Sequence, residues 1–262
     1  MSDPLFDVAG QIVLVSGGSR GIGKGLAEGF AARGAQVVIT GRDADVLEAT
    51  AKEISTGEKP VVPVVCDVAE GAQVKSLVET VVEQFGRIDT LLNVAGVNQR
   101  QPVEDFTEEQ FDFILNINLR GAFLVAQQVG RQMIAQGSGS QINIDSLNTW
   151  SPLTDVTPYA MSKFGVVGMT RGMAIEWGRH GVRVNSIAPG FILTDLTRKL
   201  WSQPHMQEWG FSNTPQGRLG EVEDLVGTAV FLASPASAFM TGQVLRVDGG
   251  ITAGTSWPIR EG

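Results

Sequence analysis

The sequence predicts an α/β fold: one doubly wound parallel sheet with helices on both faces, in a single domain over residues 1–262. Three observations carry this. Short apolar runs alternate with segments of helical periodicity from residue 11 to residue 250. The runs are apolar at nearly every position, as strands covered on both faces are. The first run ends in a glycine cluster that leads straight into a helix, the start of a βαβ series.

Each element follows from local pattern. "QIVLVSGG" (11–18) reads as a strand and turn. Ile22, Leu26 and Phe30 then recur at helical spacing, and Gly34 is a natural helix stop. Strand "AQVVIT", a helix over 45–55, strand "VVPVVCDV", a helix over 72–85 and strand "IDTLLNVAG" continue the alternation. A long helical region over 107–136, strand "SQINIDS", a helix opened by Pro158 and strand "VRVNSIAPG" come next. A helix over Glu223–Ala233 and strand "GQVLRVDGG" close the series. No linker divides the chain. Residues 194–220 show no clear periodicity.

Composition narrows the partners. A net charge of -8 provides no basic face for nucleic acid, and no apolar run approaches the roughly 20 residues that cross a bilayer. Cys66, the single cysteine, excludes an internal disulfide, and the N-terminus has neither the basic nor the apolar region of a secretory signal. A small-molecule partner and a cytoplasmic location are expected. His205 has no cysteine or histidine at ligand spacing, so no metal site is expected.

Gly17, Gly21 and Gly23 stand between the first strand and first helix. Free N–H groups and the positive end of the helix dipole suit a pyrophosphate there, and glycine lets the backbone approach it. A plain strand-to-helix turn also uses glycine, but after the first strand of a βαβ series the cluster favours a Rossmann dinucleotide site. At the end of the second strand, where NAD sites carry a carboxylate, the chain has Gly41 followed by Arg42. A guanidinium suits a 2′-phosphate, and Arg20 adds a second charge, so NADP(H) is favoured over NAD(H). Asp43 is within reach of a ribose and keeps NAD open. Asp67 can meet an adenine amino group or cap a helix.

Tyr159, the chain's one tyrosine, precedes Lys163 by four residues on one helix face. A nearby ammonium favours the phenolate and lowers the phenol's pKa, which suits proton transfer to a carbonyl oxygen as a hydride reaches its carbon. With "GGSRGIG", "NVAG", "YAMSK", "NSIAPGFILT" and "TGQVLRVDGG" in this order, the chain resembles the short-chain dehydrogenase/reductase family over nearly its whole length. The resemblance implies Tyr159 as acid and base, Lys163 as ribose ligand and Ser146 as hydrogen-bond donor to the reacting oxygen. Asn118, in "INLRG", would hold a water that relays protons from Lys163. Cofactor contacts are implied at Gly17, Ser19, Arg20, Gly21, Ile22, Gly23, Arg42, Asp67, Val68, Asn93, Ala95, Gly96, Tyr159, Lys163, Pro189, Gly190, Ile192 and Thr194. The chain departs from the pattern at Ser16, at Val94, and in "IDSLNT", where Asp145 and Thr149 replace the usual residues around the serine.

Within the family the chain looks most like gluconate 5-dehydrogenases and related sugar-acid or polyol dehydrogenases. Arg100 follows the fourth strand, where α/β sheets bind ligands, and can pair a carboxylate. Asn148 and Trp150 can meet sugar hydroxyls and an apolar ring face, beside Ser146 and Tyr159. Trp201, His205, Met206, Trp209 and Phe211 suggest a lid over 194–220 or a subunit contact. The alternatives are a reductase of a bulky apolar ketone or 3-oxoacyl thioester, and a catalytically silent dinucleotide-binding sensor. The resemblance also implies a homotetramer built on the 107–136 and 158–179 helices.

Overall fold

The structure is a computed structural model that describes residues 3–55 and 59–254. Seven strands form one sheet: β1 (Ile12–Ser16), β2 (Gln36–Gly41), β3 (Val62–Val65), β4 (Thr90–Asn93), β5 (Gly139–Ile144), β6 (Val182–Pro189) and β7 (Val244–Val247). Their order is β3-β2-β1-β4-β5-β6-β7, and every pairing is parallel. The chain winds outward from β1 to β3, then returns to place β4 on the other side of β1. This reversal opens a crevice at the carboxyl ends of β1 and β4, the place where such sheets bind ligands.

The helices are α1 (Gly21–Ala31), α2 (Ala44–Ile54), α3 (Gly71–Phe85), α4 (Glu108–Leu115), α5 (Ala122–Gln136), α6 (Thr157–Trp177), α7 (Asp195–Trp201), α8 (Pro204–Asn213) and α9 (Glu223–Ala233). Alternate strand residues point to opposite faces, and the core divides accordingly. Val13 and Val15 join Phe30 of α1, Leu47 of α2 and Leu225 of α9, whereas Leu14 joins Leu77 of α3, Val125 of α5 and Met173 of α6. Each fully buried large side chain contributes about 1.5–3 kcal/mol, and both faces of the sheet are lined this way. The apolar strand runs read from the sequence are therefore a consequence of double coverage.

Two elements differ from the expected pattern. The 107–136 region is two α-helices joined by a π-helical turn, Asn116–Gly121. The wider turn accommodates Asn118, whose side chain accepts from Val97 N at 2.7 Å and donates to Val97 O at 2.8 Å. It also brings Gly121 so close to Val68 that a Cβ would lie 2.8 Å from Val68 Cγ2. The 194–220 segment holds the two short helices α7 and α8. Thr194 and Thr197 form a reciprocal cap for α7, and Pro204 opens α8. Their large side chains are not confined to one stripe, which hid the helices from a periodicity argument.

Candidate active site

The glycine turn is shaped by close approach. A Cβ on Gly23 would sit 2.1 Å from Gly17 O, and Gly17 itself has φ +78° with Ala95 Cα 2.7 Å from where its Cβ would be. Only glycine meets both conditions. The turn ends at α1, whose N-cap residue Arg20 makes no side-chain cap bond. Its first N–H groups are thus left for an anion, as a bound pyrophosphate requires. Tertiary contacts collect the other expected cofactor residues here. Thr194 packs 3.6 Å from the Cβ position of Gly21, and Ser19 lies against Gly41 at the end of β2. Arg42 is more than half exposed and 4.0 Å from Asp67, so its guanidinium is only weakly engaged. Asp67 also accepts from Ala69 N at 3.0 Å, which makes it a turn cap. Asn93 is a tie inside the sheet, donating to Ala122 O and to Asn143 Oδ1.

The candidate catalytic residues meet at the carboxyl edge of β5. Ser146 follows this strand, and Tyr159 and Lys163 lie on α6. Lys163 is buried and donates to Ile144 O at 2.8 Å, its Nζ 5.6 Å from the Tyr159 ring centroid. Burial lowers the Lys163 pKa to about 8, against the pull of the Asp145 carboxylate. Tyr159 is pushed up to about 12, chiefly by loss of hydration. A Ser146 hydrogen bond and the Arg100 charge lower it, and the Asp145 charge raises it further. Burial thus works against the depression of the phenol expected from Lys163. Asn118 contributes a second fixed point: both amide hydrogens are used, on Val97 O and Ser162 Oγ.

Around this cluster the substrate candidates divide. Arg100 is exposed in the loop after β4, and its charge lowers the Tyr159 pKa. Asn148 is not free for sugar hydroxyls: it is buried, donates to Ser146 Oγ at 3.0 Å and accepts from Leu153 N at 2.9 Å. Its side chain positions the serine. Trp150 is half exposed, with one ring face covered by the Arg246 guanidinium at 4.4 Å. The sequence reading missed Asn98 and Gln99, whose side-chain oxygens are buried without partners just before Arg100. Four consecutive polar residues, Asn98 to Gln101, past an apolar strand were the available signal. It also missed Arg246, which only the fold brings to Trp150. Among the described residues, no three His, Cys, Asp or Glu side chains group as a metal site.

An anion-ready glycine turn beside a serine, tyrosine and lysine, at the switch point of a doubly wound sheet, defines a dinucleotide-dependent oxidoreductase. A family model described as enoyl-(acyl carrier protein) reductase matches residues 17–252. The chain is 42% identical to a gluconate 5-dehydrogenase of Gluconobacter oxydans, over 96% of this chain and 99% of that one. It is 38% identical to a D-threitol dehydrogenase of Mycolicibacterium smegmatis, over 94% and 95%. A crystal structure of a gluconate 5-dehydrogenase from Burkholderia cenocepacia, in complex with NADP and tartrate, superposes with a TM-score of 0.92 at 39% identity, over 96% and 99%. The chain belongs to the short-chain dehydrogenase/reductase family and is an NAD(P)-dependent oxidoreductase.

Proposed function

We propose that the enzyme interconverts a secondary alcohol and a ketone on a sugar acid or polyol, with Arg100 as the carboxylate ligand. The observation that supports this most is that Arg100 is exposed in the loop that follows β4, at the carboxyl edge of the sheet. The names of the gluconate and threitol relatives support it. So do the unpartnered oxygens of Asn98 and Gln99, which suit hydroxyl donors. Arg100→Ala should lower kcat/KM for a keto sugar acid by about 1.5–3 kcal/mol of transition-state binding, as for a hydrogen bond to a charged group. An uncharged polyol or ketone should be nearly unaffected. Equal losses on both substrates in steady-state assays would make Arg100 structural.

Bound nicotinamide supplies or accepts the hydride. Within the chain, Tyr159 gives its phenolic proton to the carbonyl oxygen in reduction and takes it back in oxidation. The Ser146 hydroxyl hydrogen-bonds the same oxygen, its orientation fixed by the Asn148 amide. Lys163, held on Ile144 O, orients the ribose and stabilises the phenolate. Asn118, whose side chain is committed to Val97 and Ser162, would hold through its backbone the water that returns protons to solvent.

NADP(H) is the cofactor in this reading. Arg42 and Arg20 flank the end of β2 and the glycine turn, and the Burkholderia cenocepacia relative was solved with NADP. Arg42→Ala should raise KM for NADPH by about 10- to 100-fold and leave KM for NADH nearly unchanged, because only NADPH carries the extra phosphate. Equal effects on both would assign the site to Asp43 and NAD.

The α7–α8 pair acts as the lid. Trp201 is buried with Phe191, Leu219 and Leu147, the residue next to the catalytic serine, while Trp209 and Phe211 keep half-exposed faces. Closure over substrate would exclude water from the proton transfer. The working enzyme is a homotetramer. Phe113, Phe123 and Phe164 are each more than 40% exposed on α4, α5 and α6, an apolar surface that a symmetry mate would cover. Light scattering at micromolar concentration should return four times the 27.9 kDa chain mass, and a monomer would reject the assembly.

A further inference from the structure

Two departures from the family pattern, Asp145 and Thr149, turn out to be partners. Thr149 Oγ1 donates to Asp145 Oδ2 at 2.8 Å. Asp145 is 1% exposed, and its other oxygen, Oδ1, is buried without a hydrogen-bond partner. The residue lies between the two fixed points of catalysis. Ile144, before it, accepts from Lys163, and Ser146, after it, accepts from the Asn148 amide. Its own N–H donates to Ile187 O of β6 at 2.8 Å, so the backbone here cannot swing the carboxylate out to solvent without breaking the sheet. A buried carboxylate with one free oxygen is costly to keep, and stability alone does not account for it.

We propose that Asp145 is a positioning residue of this oxidoreductase: a carboxylate, anchored by Thr149 behind Ser146, whose charge sets the pH at which Tyr159 and Lys163 exchange protons. The inference rests on the acid–base reading of Tyr159 above. The charged and titratable groups that act on Asp145 are Lys163 and Arg171 from α6, and it acts in turn on Tyr159 of the same helix. Burial raises the Asp145 carboxyl to about 6, while the Thr149 hydrogen bond, Lys163 and Arg171 hold it down. Its negative charge raises both Tyr159 and Lys163. Protonating it below about pH 6 removes that push, so the carboxylate makes the phenol a weaker acid at neutral pH than at mildly acid pH.

The one tyrosine makes this measurable without substrate, because near-ultraviolet phenolate absorbance of the intact chain reports Tyr159 alone. Asp145→Asn, and Asp145→Ser as a second uncharged variant, should raise the phenolate fraction at about pH 10 several-fold. Circular dichroism at the same pH confirms that each chain is folded. In the pH profile of kcat/KM for reduction, the inflection near pH 6 should vanish in both variants. Thr149→Val should instead move that inflection upward, since it removes the donor that stabilises the carboxylate. An unchanged phenolate fraction in whichever folded variant is obtained overturns the proposal, whatever happens to activity. Failure of the acid–base reading itself shows separately, as activity retained by Tyr159→Phe.

Discussion

Tyr159→Phe is expected to lower turnover by about a thousandfold or more while cofactor binding and melting temperature change little. The substitution removes one oxygen and keeps the ring. The ring sits beside Lys163 on α6, so the local packing is retained. What disappears is the only phenolic proton in the chain. Steady-state rates measured beside a cofactor fluorescence titration separate the two effects. More than about a tenth of the original turnover would reject the proton-transfer role. The pH dependence has a definite sign. Oxidation needs the phenolate, and burial raises the phenol to about 12, so its rate should climb as pH rises through the alkaline range. Reduction uses the protonated phenol and should not share that climb.

Gly23→Ala should abolish tight cofactor binding and destabilise the fold together. The added methyl would lie 2.1 Å from Gly17 O and 2.8 Å from its carbonyl carbon. Both are backbone atoms of a turn already held by the N–H of Gly17 on Thr40 O, so neither can yield as a side chain would. The start of α1 must move away from β1. Overpacking of this kind costs about 1–3 kcal/mol or more, equivalent to a fall of several degrees in Tm for a chain of this size. Displacement of the helix N-terminus should weaken cofactor binding by about a hundredfold or more, since the anion loses its aligned N–H donors. Thermal unfolding and the same fluorescence titration test this. Binding within a few-fold of the original would show that the turn tolerates the methyl and does not clasp the pyrophosphate.

What the amino-acid sequence by itself determined is whatever depends on residues near one another in the chain. Val13, Leu14 and Val15 read as a strand covered on both faces, and the structure divides them between two core layers. The spacing of Gly17, Gly21 and Gly23 announces a tight turn before a helix, and four residues from Tyr159 to Lys163 place both on one helix face. Only the tertiary structure decided what those side chains meet. Asn148 looked free for a sugar hydroxyl until the fold turned its amide onto Ser146, and what Asn118 meets inside the 107–136 helical region was settled only where it reached across to Val97. The largest contribution of the fold here is electrostatic. Helical spacing brings an ammonium near the phenol, but how far each is stripped of water, and which carboxylate lies behind them, depends on β5, β6 and α6 closing together. Hydration and charge are properties of that enclosure, and one-dimensional spacing carries neither.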